Sequence, residues 1–228
     1  AVLFHDTRIR KKCSIVTDLD AAFVDTTILP MDSDATKRFK TRCLRSQETG
    51  IARKAALEAF KEGNEWIGLS FAPHTFEVDF AAKNIDSVIA TLGKIYSDPG
   101  TIAIAKAELE SKDVALYGRR VLTMAQQAGK GWYAILVGNQ VGYQAFIPDY
   151  ILDAILFGTT IGTELWVKIL RYRLACIERG AKNPPSSTDV MHGMVDALES
   201  ELVNMADVKN QMLLDFAADG INAVLKRF

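Results

Sequence analysis

Asp18 and Asp20 are the side chains in this sequence best placed to do chemistry. They close a short β-branched run, Cys13-Ser14-Ile15-Val16-Thr17, that reads as a buried strand. Side chains alternate along a strand, so carboxylates at i and i+2 leave the sheet on one side. Oxygen donors of this kind suit Mg²⁺, which takes one or two carboxylates together with waters and phosphate oxygens. A lone Asp-x-Asp serves equally well as an acidic loop cap, so its meaning depends on what accompanies it. In His74-Thr75-Phe76-Glu77-Val78-Asp79, Glu77 follows a second apolar run. Ligands of open α/β sheets collect at the carboxyl ends of strands, although Thr75 followed by Glu77 also reads as a helix start with an acid favoured by the dipole. Gly129-Lys130-Gly131-Trp132 sets a lysine between glycines. There the backbone can approach a ligand closely and an ammonium can meet developing negative charge. The plain alternative is a helix C-cap with an exposed lysine.

The elements that must position these residues follow from the pattern. Thr26 to Ser46 is polar, contains a proline and reads as loop, whereas Ile51–Lys61 has helix composition and stops at Gly63-Asn64. Glu65–Phe71 is the second strand, ended by Ala72-Pro73-His74. Strand, helix, strand favours a parallel sheet with a crossover connection. From Phe76 onward the pattern is helical, with helices expected over Phe76–Tyr96, Gly100–Leu109, Lys112–Ala128, Trp132–Val141, Pro148–Arg179, Thr188–Val203 and Met205–Phe228. Breaks fall at Asp98-Pro99-Gly100, Gly142 and Asn183-Pro184-Pro185, and Ser187-Thr188-Asp189 has N-cap chemistry. The fold class is therefore α/β: a parallel-sheet core followed by an additional helical region.

Composition narrows the function classes. With 49% hydrophobic and 24% charged residues and a formal net charge of −1, the chain is ordinary globular protein without a global bias toward nucleic acid or anionic membrane. Basic side chains nevertheless cluster at Arg8, Arg10, Lys11 and Lys12, and again at Lys37, Arg38, Lys40, Arg42, Arg45, Arg53 and Lys54. Such clusters can line a phosphate backbone, or simply be solvated faces. Cys13, Cys43 and Cys176 lack zinc spacing and fit reduced thiols in a cytoplasmic protein. His5, His74 and His192 form no metal-ligand pattern, and no GxxxxGK[ST] stretch offers an ATP site. No apolar stretch is long enough for a membrane span. Trp66, Trp132 and Trp166 lie in apolar periodic stretches and read as core.

Ile15-Val16-Thr17-Asp18-Leu19-Asp20, then Ala72-Pro73-His74-Thr75-Phe76-Glu77-Val78-Asp79-Phe80, then Gly129-Lys130-Gly131-Trp132-Tyr133-Ala134, then Phe146-Ile147-Pro148-Asp149-Tyr150-Ile151 stand in an order that resembles the C-terminal TOPRIM nuclease region of OLD-family (overcoming lysogenization defect) proteins. The resemblance runs from about Val2 to Phe157. It implies a TOPRIM-like (Rossmann-like) catalytic core over residues 1–157, with a helical insertion at about 77–128, and a C-terminal helical region over 158–228. It also implies a Mg²⁺- or Mn²⁺-dependent endonuclease with two ions. Asp18, Asp20 and Glu77 would be the metal ligands and Lys130 the catalytic lysine. Double-stranded DNA is the expected substrate, read with little sequence specificity because phosphate contacts position without specifying. The weaker candidates for touching it are Arg8, Arg10, Lys37, Arg38, Lys40 and Arg42. The family joins this region to an ABC-type ATPase domain upstream in the same polypeptide, so the chain reads as a piece of a longer protein. TOPRIM domains also carry an early Glu-Gly on the first strand. The seventeen residues before Asp18 contain no glutamate, so that ligand is assigned to no residue.

Two rivals stand beside this reading. A haloacid-dehalogenase-type phosphatase also places Asp-x-Asp after an apolar strand. It expects Gly-Thr soon afterwards, where this chain has Ala21-Ala22-Phe23, and a second acidic pair that is missing. The other is a non-catalytic nucleic-acid-binding domain whose basic clusters do all the work.

Overall fold

The computed structural model describes residues 3–20, 23, 25–181 and 185–227. Strand β1 (Cys13–Asp18) leads through helix α1 (Asp34–Lys61) to strand β2 (Ile67–Ala72). Helices α2 (Phe76–Lys83), α3 (Ile85–Ile89), α4 (Leu92–Ile95), α5 (Pro99–Glu110), α6 (Val114–Ala128), α7 (Lys130–Gly138) and α8 (Asp149–Gly158) follow. Helices α9 (Thr163–Gly180), α10 (Ser187–Glu199), α11 (Met205–Asp215) and α12 (Ile221–Leu225) complete the chain. Among the described residues the architecture is thus mixed, largely helical with one small sheet. Expectations that touch Val2, Ala21-Ala22, Asn183-Pro184 and Phe228 fall on positions outside the described residues.

The two strands pair in parallel, Cys13 opposite Ile67 through Asp18 opposite Ala72, as the strand–helix–strand pattern requires. Both carboxyl ends therefore lie at one edge. That sets Asp18 beside the turn that leads into α2, where Glu77 sits. β1 is not the buried strand its composition suggests: Val16 is 47% exposed and the others are half-buried. The reason is that the sheet has two strands among the described residues, so β1 has a partner on one side. Helix α8 lies against both strands. Its Phe157 ring sits where a Cβ on Gly68 would come within 2.5 Å, and Ser14 Oγ donates to the Ala154 carbonyl.

Helix α1 begins at Asp34, not at Ile51, and absorbs much of the segment read as loop. Ser33 caps it, its hydroxyl accepting from the Thr36 amide, and Asp34 lies in the first turn. Lys40 Nζ donates to Thr27 O and Asp32 Oδ2, tying down the approach. The 28 residues bury only Gly50, so no apolar stripe marks the helix in the sequence. That one glycine is decisive, because a Cβ there would lie 1.5 Å from the Leu19 carbonyl oxygen. The helix backbone passes directly against the turn between Asp18 and Asp20. Gly50→Ala should therefore destabilise the fold by about 1–3 kcal/mol, at the upper end because the obstacle is backbone. Urea unfolding measures this, and an unchanged midpoint would contradict the close approach.

The helical stretch after β2 is more broken than its periodicity suggests. Phe76–Tyr96 divides into α2, α3 and α4, because the buried Asn84 leaves helical geometry (φ −131) and pins a distant loop. Its Nδ2 donates to Phe80 O and Phe146 O while its Oδ1 accepts from the Phe146 amide at 2.7 Å. Pro148–Arg179 divides at residues 159–162, and the last helix divides after Asp215. Helices α5 and α6 are capped by aspartates, Asp98 accepting from Thr101 N and Asp113 from Ala115 N, so α6 starts after Asp113 and not at Lys112. Helix α10 differs: it starts at Ser187, with Ser186 in the cap position making no side-chain cap bond.

The chain forms two compact units, Ala1–Val141 with Phe146–Gly158, and Gly142–Ala145 with Thr159–Phe228. The first is centred on Val78, Leu92, Leu109, Val121, Met124 and Tyr133. The second is centred on Trp166, Leu170, Leu174, Met191, Val195 and Met212. Within the second unit Arg173 joins Asp219 through both guanidinium edges, at 2.7 and 2.8 Å, and donates to the Tyr143 carbonyl. The three cysteines are free thiols. No helix among the described residues is long and apolar enough to cross a membrane.

Candidate functional site

The first unit holds all four principal candidates. Asp18 is the last residue of β1. Asp20 lies beyond the strand at φ 47, a left-handed conformation that aspartate adopts more readily than most residues. Strand alternation therefore does not place Asp20; a turn after the strand does. What brings the two carboxylates together is Arg53, one helical turn beyond Gly50. Its Nη1 donates to Asp18 Oδ1 at 3.1 Å and to the Asp18 carbonyl at 2.9 Å, and its Nη2 donates to Asp20 Oδ2 at 2.9 Å. The two carboxylates raise the affinity of that guanidinium for its proton, the Asp20 hydrogen bond contributing most.

Glu77 occupies the first turn of α2, the helix-start alternative, with Thr75 at the N-cap making no side-chain cap bond. Gly129, at φ 80, ends α6 and caps α7, so Lys130 is the first residue of a helix. Its ammonium is 71% exposed yet lies 3.4 Å from Glu77 Oε1, whose side chain is only 20% exposed. The site thus consists of two pairs, Asp18 with Asp20 across Arg53, and Glu77 with Lys130. Among the described residues no three His, Cys, Asp or Glu side chains stand close enough to share one ion.

The same unit holds polar groups that simple spacing did not single out. Asp79, 9% exposed, accepts from the His74 amide at 3.2 Å and meets His74 Nδ1 at 2.8 Å, which fixes the turn out of β2. The buried hydroxyls of Thr75, Tyr133 and Tyr150 have no hydrogen-bond partner. Burial, then the charges of Asp79, Asp18 and Glu77, push the Tyr150 phenol up to about 12. Burial and then Glu77 raise that of Tyr133. One tyrosine therefore feels carboxylates from both pairs, and at neutral pH its hydroxyl is a donor with nothing to donate to. Leaving buried donors unsatisfied is costly.

Do these residues fit a divalent ion? The Arg53 fork stands in for a cation: it draws one oxygen from each of Asp18 and Asp20 toward a single positive centre. A pair of monodentate carboxylates completed by water and phosphate oxygens is what Mg²⁺ accepts. The donor set therefore fits one ion at Asp18 and Asp20, while Glu77 stands apart, paired with Lys130. Comparison with family models, curated proteins and solved structures finds no match to this chain. The chemistry of the site rests on its own geometry.

The weaker candidates are scattered. Arg8 is exposed, Arg10 Nε donates to Asp6 O, and Lys40 is committed to Asp32, its side chain only 14% exposed. Lys37, Arg38 and Arg42 lie along α1. Of the tryptophans, Trp166 is core at 3% exposure and Trp66 is half-buried, its Nε1 donating to Asp6. Trp132 departs from expectation, being 57% exposed. Helix α7 buries Tyr133, Leu136 and Val137, which turns Trp132, two residues from Lys130, and Ile135 outward.

Tyr150→Phe separates ligand chemistry from structure. Losing a hydroxyl that has no partner should leave stability at pH 7 unchanged or slightly raised, whereas a missing hydrogen bond to a charged ligand, worth about 1.5–3 kcal/mol, should lower turnover about tenfold or more. The native phenol holds its proton longer than the unfolded one, which ionises near 10. Stability therefore falls as the pH rises from about 10 toward about 12, and the variant should lack that part of the alkaline loss. Destabilisation at neutral pH with unchanged turnover would contradict the assignment.

Proposed function

We propose that this chain is a Mg²⁺- or Mn²⁺-dependent endonuclease that hydrolyses DNA phosphodiester bonds. In this reading it is the nuclease part of an OLD-family protein on a TOPRIM-like (Rossmann-like) core, coupled to an upstream ATPase domain. The observation that carries the reading is the convergence of Asp18 and Asp20 on one positive centre at the carboxyl edge of a parallel sheet, with Glu77 and Lys130 on the adjoining helix starts.

Asp18 and Asp20 would hold one ion and Glu77 would share in a second; such ions, when bound, activate a water and neutralise charge on the attacked phosphate. The remaining roles belong to the protein. Arg53 must release the two carboxylates, and its planar fork then suits bidentate contact with a phosphate. Lys130, exposed and mobile on its stem, moves from Glu77 to the phosphate, where its ammonium opposes charge developing on the leaving 3′ oxygen. Tyr150, still protonated, donates to a non-bridging oxygen. These residues touch only backbone chemistry, so cleavage should show little preference for base sequence.

A second reading is favoured by one specific observation. Arg53 already satisfies both carboxylates, so the turn is complete as a structural ion pair, and the domain would then bind nucleic acid without cutting it. Nicking of supercoiled plasmid with Mg²⁺ or Mn²⁺, abolished by chelation, supports the nuclease. Binding without nicking supports the second reading, and release of phosphate from a small monoester without nicking supports a phosphatase.

A further inference from the structure

Beside the carboxylates, α1 and α6 leave a cleft of about 420 Å³ between them, a size common among small-ligand sites. Asp20 forms one end of it, Arg42 and Ser46 come from α1, and Arg119 comes from α6. Two guanidiniums facing one cleft repel each other unless an anion lies between them. Among the described residues neither has a carboxylate partner, unlike Arg53 and Arg120, which do. The Arg119 guanidinium instead stacks 5.4 Å above the Phe39 ring, an arrangement that holds its plane in place. Phe23 adds a second aromatic wall. Cationic forks beside an apolar wall match a nucleotide: phosphate, and base or sugar face.

We propose that this cleft seats the nucleotide adjoining the scissile bond, with Arg42 and Arg119 holding its phosphate and the Phe39 wall taking its sugar or base. The inference rests on the nuclease reading for the position of the scissile bond, since Asp20 links cleft and carboxylate pair. Arg42 and Arg119 are positioning residues: they fix the strand and take no part in bond breaking.

The experiment separates the cleft from the chemistry. Fluorescence anisotropy of a ten-nucleotide DNA in EDTA reads binding without turnover, and hydrolysis of bis(p-nitrophenyl) phosphate reads chemistry without a neighbouring nucleotide. Arg42→Ala/Arg119→Ala should weaken oligonucleotide binding at least tenfold and flatten its dependence on log salt by roughly one to two, the share of two phosphate contacts. Hydrolysis of the small diester should be unchanged. Arg119→Lys, which keeps the charge but loses the stacked fork, should give an intermediate loss. The proposal is overturned if the folded double variant binds DNA like the parent with the same salt slope, or if small-diester hydrolysis falls in parallel with binding. Failure of the parent to hydrolyse either substrate, with binding still lost in the double variant, would overturn the nuclease reading and leave the cleft as a nucleotide site.

Discussion

If the proposed nuclease reading holds, Asp18→Ala/Asp20→Ala should abolish cleavage of plasmid DNA, by about 10³-fold or more, because the pair is asked to supply several kcal/mol of transition-state stabilisation. DNA binding in the absence of metal stays within about threefold of the parent, since neither carboxylate contributes positive charge. The fold survives. Arg53 loses its partners, but its side chain is 34% exposed and those of Asp18 and Asp20 are 38% and 29% exposed. Pairs this open contribute only about 0–1 kcal/mol each, and the freed guanidinium turns into water. The single variants Asp18→Asn and Asp20→Asn, which keep shape and remove charge, should each lower the rate nearly as far, because the two residues act as a unit and their losses do not add. Gel-based nicking with thermal melts alongside measures all of this. Undiminished cleavage in a folded double variant would sink the assignment.

Lys130→Ala is the second large effect, a fall in turnover of about 10²–10³-fold with stability unchanged. The ammonium is mostly in water, and its contact with Glu77 at 3.4 Å is a surface pair. Removing it costs the fold little, yet in the proposed mechanism it takes away a donor at a place where negative charge develops. The direction of the accompanying effect is diagnostic. Glu77 without its lysine is a freer carboxylate, so affinity for Mn²⁺ is unchanged or higher while the rate falls. Lys130→Arg should recover part of the rate, since charge is restored with a longer, planar head. Single-turnover kinetics at saturating metal, together with a Mn²⁺ titration, separate the two quantities. A normal rate in Lys130→Ala removes the lysine from the mechanism.

Much of the site was visible in the sequence because its parts sit at element boundaries. A β-branched run followed by carboxylates, Pro73 after β2, and Gly129 before Lys130 each mark an end of a strand or helix in the structure, whereas Gly131 lies within α7. Helix α1 was half hidden, because it packs through Gly50 and lacks an apolar face. The Arg53 contact was hidden altogether. It joins residues 33 and 35 positions apart, and one arginine among many basic side chains carries no local mark of its partner. The same holds for Arg119, read only as part of a helix until Phe39 and the cleft gave it a neighbour. Tyr150 stood inside a recognisable Pro-Asp-Tyr-Ile segment, but an unsatisfied hydroxyl is a property of packing, invisible in the sequence. The break at Asn84 was missed for a related reason: a buried asparagine hydrogen-bonding across 62 positions outweighs local helix propensity.

Manganese binding tests the central claim most directly. Electron paramagnetic resonance of free Mn²⁺ during titration reads occupancy without requiring turnover, substrate or an ATPase partner. The nuclease reading predicts saturable binding by the parent protein and its loss in Asp18→Asn/Asp20→Asn. Absence of saturable binding in the folded parent, or equal binding in the parent and the double variant, would contradict it and leave Asp18, Asp20 and Arg53 as a structural ion pair.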